Sequence, residues 1–267
     1  MKDEVTTIKA IAFDLDGTLV DSAADIAHAL NTALSNAGLD VFDLAAVRSW
    51  IGDGPDVLIA RALAANRPVQ TGAEMAAPAD SAAEAALRSR LRRDFDAATV
   101  AAPMGLGEVY PAMADTLQKL HEGWPLIVVT NKPTALARAV LEAAGLLRLF
   151  AGVYGADRPE LRKPLPAMLD QAAEDLGVKT QEILMVGDSA ADMGAAKAAG
   201  APAALVGWGY GHAQVKSNEA RWRIHLPEQL LPLLQTVRCG KTRQVDCGDA
   251  NALPMPSPPQ IGTVSQP

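Results

Sequence analysis

The length, composition and charge of the chain exclude several classes of protein. The chain has 267 residues, 49% of them hydrophobic, and a net charge of -7, which suits one or two domains with a sizeable core. It has no lysine- and arginine-rich run to predict nucleic-acid binding, no apolar segment of membrane-spanning length and no signal-peptide core after Met1. Its two cysteines, Cys239 and Cys247, are too few for a disulfide framework, so we expect a cytoplasmic protein.

The first hundred residues predict one buried strand followed only by helices. An apolar run over residues 8–13 predicts a buried strand that leads into Asp14. Helical patterns follow at about 22–36, 43–50, 54–66 and 80–98, with a Pro/Gly/Ala loop at 70–80. Ser22 is a candidate cap for the first of these helices. We therefore predict an all-helical insert over residues 21–100.

Strands and helices alternate in the rest of the chain. Strands are predicted at 126–130, 150–154, 182–187 and 203–206, and helices at 111–121, 133–144, 164–177, 189–199 and 227–237. This alternation predicts an α/β fold, a Rossmann-like parallel sheet flanked by helices, with the insert as a small all-helical cap domain. The predicted domains are a core (1–20 and 101–237), the cap (21–100) and a flexible tail (238–267) rich in Pro, Gly and Ser.

Polar residues stand at the ends of the predicted strands, where ligands bind in an open parallel sheet. Asp14 and Asp16 follow the first strand, and two acids at a buried strand end are costly unless a cation or a phosphate accompanies them. The Gly17 and Thr18 amides can face an anion there. Thr130 and Asn131 end the second strand, Lys163 lies in a later loop, and Asp188, Ser189 and Asp192 follow the strand at 182–187.

Each of these residues also has an ordinary explanation in turn formation, helix capping or surface solvation. Their order, however, resembles the four motifs of the haloacid-dehalogenase superfamily of aspartate-nucleophile phosphatases. The motifs are Asp14-x-Asp16, Thr130-Asn131, Lys163, and Gly187-Asp188-Ser189 followed by Asp192, and the resemblance covers about Ile8 to Val237. Trp50-Ile51-Gly52-Asp53-Gly54 and Arg61 resemble the cap of its phosphoglycolate phosphatase branch. The turn Tyr110-Pro111-Ala112-Met113 departs from the usual Tyr-Pro-Gly-Val.

The resemblance implies a Mg²⁺-dependent phosphatase that hydrolyses a small phosphate monoester, with 2-phosphoglycolate as the first candidate. Asp14 would attack the phosphorus and form an aspartyl-phosphate, and Asp16 would act as general acid and then as general base. Thr130 and Lys163 would complete the catalytic set. Mg²⁺ would be held by Asp14, Asp16 and Asp188.

The resemblance also implies binding and supporting roles. The implied substrate-binding residues are Gly17, Thr18, Gly52, Arg61, Thr130, Asn131 and Lys163. Asp192 and Ser189 would orient Lys163 or water bound to the metal. The expected partner is a small phosphate ester rather than nucleic acid or a membrane, and the protein would be a monomer or a homodimer.

Several alternatives stay open. A sugar phosphomutase, or a nucleotide or pyrophosphate phosphatase of the same superfamily, would keep all four motifs. A haloacid dehalogenase would need no proton donor and no metal, so Asp16 and Asp188 argue against it. A binding protein with a relic site would be expected to lack one of Asp14, Asp16 and Asp188, and all three are present.

Overall fold

A computed structural model describes residues 7–66, 82–216 and 218–238 of the chain. The predicted loop at 70–80 and the predicted tail beyond Arg238 lie outside these residues. The strands are β1 (Ala10–Phe13), β2 (Val20–Asp21), β3 (Glu108–Val109), β4 (Leu126–Thr130), β5 (Gly152–Gly155), β6 (Ile183–Gly187), β7 (Ala203–Val206) and β8 (Trp222–Ile224). The helices are α1 (Ala23–Asn36), α2 (Leu44–Arg48), α3 (Pro55–Ala65), α4 (Ala82–Ala101), α5 (Met113–His121), α6 (Thr134–Ala143), α7 (Ala167–Leu176), α8 (Ala190–Ala199) and α9 (Leu230–Arg238).

Six strands form a parallel sheet in the order β5-β4-β1-β6-β7-β8. Helices α5, α6 and α9 pack on one face of the sheet, and α7 and α8 pack on the other. All residues of β1, β4 and β6 are buried, because a strand covered on both faces needs apolar side chains on both. The predicted α/β fold with a Rossmann-like parallel sheet is therefore confirmed.

The helices between β2 and β3 surround a hydrophobic cluster of their own. Buried side chains of α1, α3 and α4 meet there, and Leu136 of α6 joins them from the sheet side. β2 and β3 pair antiparallel where the chain leaves the sheet region and returns to it. The division into core, cap and tail at the predicted boundaries stays a prediction. Of the described helices, none combines the length and apolar composition that a membrane span requires.

The turn Tyr110-Pro111-Ala112-Met113, which departs from the sequence that the resemblance predicts, contains a residue with a positive φ. Ala112, which stands where the resemblance expects glycine, has a φ of 61° just before α5. A side chain in this left-handed region is strained by contact between its Cβ atom and the backbone. The missing glycine therefore has a local cost in stability.

Candidate active site

The carboxyl ends of three neighbouring strands bring the predicted residues together. Asp14 directly follows β1, Thr130 is the last residue of β4, and Asp188 directly follows β6. β1 lies between β4 and β6 in the sheet, so the three side chains share one edge. All three are buried. The sequence prediction of one polar site at this edge thus agrees with the geometry.

Lys163 ties two of the acids together in the buried interior of the site. Its Nζ lies 2.8 Å from Asp14 Oδ1 and 2.6 Å from Asp192 Oδ1, and it donates a third hydrogen bond of 2.8 Å to the Val129 carbonyl. Only 2% of Lys163 and none of Asp192 is exposed. An ammonium has three N–H donors, and here all three are used within the protein.

Negative charge exceeds positive charge in this cluster. Carboxylate oxygens of Asp14, Asp188 and Asp192 lie within 4.8 Å of one another, and Lys163 is the ammonium among them. Burial raises the pKa of Asp14 from 3.8 to about 7; Lys163 opposes the rise, and Asp192 and Asp188 add to it. Burial likewise raises the pKa of Asp188 to about 6, and the negative charge of Asp192 adds to it. Burial alone would lower the pKa of Lys163, but Asp14 and Asp192 outweigh it and hold that pKa above its usual range.

The donor set suits a hard divalent cation. Both oxygens of Asp192 are taken, Oδ1 by Lys163 and Oδ2 by the backbone and hydroxyl of Ser189. Asp14 Oδ2 and Asp188 Oδ1, in contrast, accept no hydrogen bond from the described part of the chain. Two free carboxylate oxygens beside excess negative charge are the ligands that such a cation prefers. The cluster could therefore hold a metal, with Asp192 and Ser189 behind it.

A loop after β7 fixes the position of Asp188. The amides of Tyr210 and Gly211 donate to Asp188 Oδ2 over 2.6 and 2.9 Å. Gly17 approaches the same carboxylate from the β1 side: its φ is 89°, and a Cβ atom there would lie 2.8 Å from Asp188 Oδ2. Gly17 is needed for this close approach. Sequence reasoning missed Tyr210 and Gly211, since backbone amides leave no signature in side-chain chemistry.

The backbone amides near Asp14 differ from the prediction. The Gly17 amide donates to the Val20 carbonyl and the Thr18 amide to the Leu15 carbonyl, so neither is free to face an anion as predicted. Both amides are used in hydrogen bonds within the turn that directly follows the strand. The amides of Leu15 and Asp16 have no hydrogen-bond partner among the described residues, and they are the donors that remain available beside Asp14.

Asp16 is held by two groups that its motif did not predict. Lys132 Nζ lies 3.0 Å from each carboxylate oxygen, and Ser22 Oγ donates to Asp16 Oδ1 over 2.5 Å. Ser22 occupies the N-cap position of α1 as predicted, but its side chain accepts no capping hydrogen bond from that helix. A lysine directly after Thr130-Asn131 was the one signal in the sequence that could have revealed Lys132.

Asn131 connects two loops instead of offering a free group to a ligand. Its Nδ2 donates to the carbonyls of Gly52 and Lys163 over 2.9 and 3.2 Å, and its Oδ1 accepts from the Lys163 amide over 2.8 Å. Gly54 packs against the same residue, since a Cβ atom at position 54 would lie 2.8 Å from the Asn131 carbonyl oxygen. Asn131 therefore fixes the 52–54 loop and Lys163 in place. Both N–H groups of its side-chain amide are already donated, so neither is free for the predicted contact with a substrate.

The predicted substrate residue Arg61 is occupied elsewhere. Its guanidinium donates to Asp53 Oδ2 over 2.5 Å and to the Trp50 carbonyl over 2.7 Å, which stabilises the loop that precedes α3. Arg61 does not line the pocket above Asp14, whereas Gly52 does. Arg61 thus supports that loop in this structure, and Asp53 and the Trp50 carbonyl occupy its guanidinium.

The pocket above Asp14 has a polar floor and an apolar wall. The floor carries Asp14, Asp16, Thr130 and Lys132. The wall, which comes largely from the helical insert, carries Ile26, Ile51, Pro55, Leu58 and Phe95. Thr130 is buried, and its Oγ1 accepts from the Lys132 amide over 3.2 Å. This shape suits a compact ligand with a polar end toward the floor and a small remainder against the wall.

Comparisons with known proteins give consistent results. The family described as haloacid dehalogenase-like hydrolase matches residues 8–200. The chain is 41% identical to the phosphoglycolate phosphatase of Cereibacter sphaeroides over 77% of its length and 88% of that protein's. It is 40% identical to the phosphoglycolate phosphatase of Escherichia coli (strain K12) over 78% and 84% of the two lengths. A crystal structure of a predicted phosphoglycolate phosphatase from Haemophilus somnus 129pt is similar with a TM-score of 0.73 and 31% identity, over 85% of this chain and 97% of that one.

Proposed function

The chain belongs to the haloacid dehalogenase-like hydrolases, and on that basis we propose that it is a phosphatase of small phosphate monoesters that prefers 2-phosphoglycolate. The observation that carries the chemistry is the Asp14 carboxylate, which lies at a strand end beside Lys163 and Asp188 and faces the pocket. The substrate is proposed from the relatives of about 40% identity, which are named phosphoglycolate phosphatases.

Asp14 is the proposed nucleophile of the first step. One of its carboxylate oxygens attacks the phosphorus, the bond between phosphorus and the ester oxygen breaks, and an aspartyl-phosphate forms. Asp16 in its acid form gives a proton to the departing ester oxygen. Because all three donors of Lys163 are engaged, a phosphoryl oxygen would take over the donor that now points at Asp14 Oδ1. The free amides of Leu15 and Asp16 and the Thr130 hydroxyl would hold the other phosphoryl oxygens.

Asp16 also has a proposed task in the second step. A water attacks the phosphorus of the aspartyl-phosphate, Asp16 takes a proton from that water, and the bond between Asp14 and phosphorus breaks to release phosphate. Lys132 and Ser22 donate to Asp16, an arrangement that matches the ionised carboxylate. The contacts of Asp16 therefore support the base form that this step requires.

Mg²⁺ is the proposed cofactor, held by the free oxygens of Asp14 and Asp188 and by the backbone carbonyl of Asp16. When bound, it would neutralise charge on the phosphoryl group and lower the repulsion that Asp14 meets on approach. Asp192 and Ser189 would keep Lys163 and the loop after β6 in position from behind. The excess of carboxylates over ammonium groups in the cluster supports this cofactor.

The apolar wall of the pocket favours a compact ester over a sugar phosphate. Ile26, Ile51, Leu58 and Phe95 offer no hydrogen bonds to sugar hydroxyls, and an unpaired hydroxyl in such a place is costly. This argues against the phosphomutase alternative. The same wall offers no partners to the polar edge of a nucleotide base.

The test is the release of phosphate from a panel of esters in the presence of Mg²⁺. We expect kcat/KM for 2-phosphoglycolate to exceed that for glucose 6-phosphate, a nucleoside monophosphate and pyrophosphate by at least about tenfold. If any of these substrates is better than 2-phosphoglycolate by tenfold, the proposed substrate is wrong. Conversion of glucose 1-phosphate to glucose 6-phosphate without phosphate release would instead support the mutase.

A further inference from the structure

Lys132 is a buried cation at the edge of the pocket with a donor to spare. Only 6% of the residue is exposed, and it directly follows Thr130-Asn131 at the end of β4. Among the described residues that line the pocket, Lys132 is the one with a positive charge. Within the described part of the chain, its Nζ has two acceptors, both on Asp16. Since an ammonium carries three N–H donors, one remains for a ligand in the pocket.

The position of Lys132 relative to Asp16 determines which part of a substrate it can reach. An ester oxygen that takes a proton from Asp16 must lie within about 3 Å of that carboxylate. Lys132 Nζ lies 3.0 Å from the same carboxylate oxygens. The ammonium is therefore about one further hydrogen bond from the leaving oxygen.

We propose that Lys132 is a specificity-determining residue that binds an anionic carboxylate attached one carbon from the ester oxygen. This inference rests on the proposed phosphatase function and identifies the residue that recognises the carboxylate of the substrate. In 2-phosphoglycolate, one methylene separates the ester oxygen from the carboxylate, so the carboxylate meets Lys132 while the ester oxygen meets Asp16. A charge-assisted hydrogen bond in a buried, mostly apolar pocket discriminates strongly against a neutral leaving group.

Neither Lys163 nor Arg61 offers this contact. Lys163 uses its three donors on Val129, Asp14 and Asp192, and it stands behind the nucleophile. Arg61 pairs with Asp53 and lies outside the pocket. Among the described residues that line the pocket, Lys132 is the cation that can stabilise a second negative charge on the substrate.

The experiment compares two esters of nearly equal size in the Mg²⁺-loaded enzyme. One is 2-phosphoglycolate, and the other is 2-hydroxyethyl phosphate, which carries a neutral hydroxymethyl group in place of the carboxylate. The variant Lys132→Met keeps the length of the side chain and removes its charge, and Lys132→Arg keeps the charge. Lys119→Met, at an exposed lysine of α5, is the matched control.

Lys132 also holds Asp16, so the absolute rates of Lys132→Met should fall for both esters. The diagnostic quantity is the ratio of the two kcat/KM values, because loss of Asp16 positioning cancels in it. We expect Lys132→Met to lower the preference for 2-phosphoglycolate by at least about tenfold, mainly through KM, and Lys132→Arg to restore part of it. Lys119→Met should leave the ratio unchanged. An unchanged ratio in Lys132→Met would overturn the proposal and leave Lys132 as a positioning residue for Asp16.

A binding measurement separates this proposal from the proposed function. The probes are 3-phosphonopropionate, in which a methylene replaces the ester oxygen of 2-phosphoglycolate, and propylphosphonate, which lacks the carboxylate. By calorimetry, wild type should bind the first more tightly by at least about tenfold, and Lys132→Met should lose this difference. If wild type hydrolyses neither ester but shows this pattern, the phosphatase function fails and the carboxylate site stands. If wild type binds both probes equally, the carboxylate site is wrong whatever the enzyme hydrolyses.

Discussion

Lys163→Met should destabilise the metal-free protein by about 3–5 kcal/mol at pH 8, the usual cost of removing one partner of a buried ion pair. Methionine fills nearly the same volume, so the loss is electrostatic and not a cavity effect. Without the ammonium, the carboxylates of Asp14, Asp188 and Asp192 lie within 4.8 Å of one another with no cation among them. The Val129 carbonyl also loses its hydrogen bond from Lys163.

The loss should depend on pH in a direction that the pKa values fix. The pKa values of Asp14 and Asp188 are raised to about 7 and about 6, above their unfolded values near 4. The stability that these groups contribute in their protonated form is present below about pH 4 and is lost as the pH rises towards 7. Lys163 compensates for the charged forms, so its removal should cost most at pH 8 and clearly less at pH 5.

Urea unfolding in the presence of a chelator measures this effect at pH 5 and pH 8. Lys119→Met, at an exposed lysine, serves as the control and should change the free energy of unfolding by less than about 0.5 kcal/mol. A loss of less than about 1 kcal/mol for Lys163→Met at pH 8, or an equal loss at both pH values, would refute the assigned role of Lys163. Addition of Mg²⁺ at pH 8 should recover part of the loss, because a bound cation replaces the missing positive charge.

Three further predictions concern the reaction and the fold. Asp14→Asn should keep the fold, as judged by circular dichroism, and lower kcat by at least about a thousandfold; a variant that retains a tenth of the activity would contradict the assigned nucleophile. Chelation should abolish phosphate release, added Mg²⁺ should restore it, and Asp188→Ala should need more Mg²⁺ for half-maximal activity; full activity after thorough chelation would refute a metal-assisted reaction. Ala112→Gly should raise the free energy of unfolding by up to about 1 kcal/mol by relieving the positive φ; a destabilised variant would show that no strain is stored at that turn.

The sequence predicted the central strands well because their burial is symmetrical. β1, β4, β6 and β7 are covered on both faces and therefore appear as unbroken apolar runs. β8 was missed, since it has three residues at the edge of the sheet and carries the exposed Arg223 in its centre. β2 and β3 have two residues each, too few for any hydrophobic period. Short edge elements depend on their partners and not on their own sequence.

The same distinction applies to the candidate site. Asp14, Thr130 and Asp188 could be found because each ends a strand that the sequence reveals. Lys132 reaches Asp16 across 116 positions of sequence, and Tyr210 reaches Asp188 from a loop with no regular pattern. Such contacts are set by the order of the strands in the sheet. The substrate-binding role of Arg61 stays a prediction, and in this structure a local partner, Asp53, pairs with its guanidinium.

Two buried lysines give the two aspartates of the first motif different chemistry. Asp14 and Asp16 are separated by one residue, yet Asp14 shares Lys163 with Asp192, while both oxygens of Asp16 accept from Lys132. In the proposed reaction, Asp14 Oδ2 holds the cation, and Asp14 Oδ1 becomes free to attack when a phosphoryl oxygen takes over the Lys163 donor. Asp16 is enclosed by Lys132 and Ser22, and in the proposed reaction it gives a proton and later takes one. If a substrate carboxylate binds Lys132 as proposed, the contact between Lys132 and Asp16 weakens. One ammonium group then affects both substrate recognition and proton transfer.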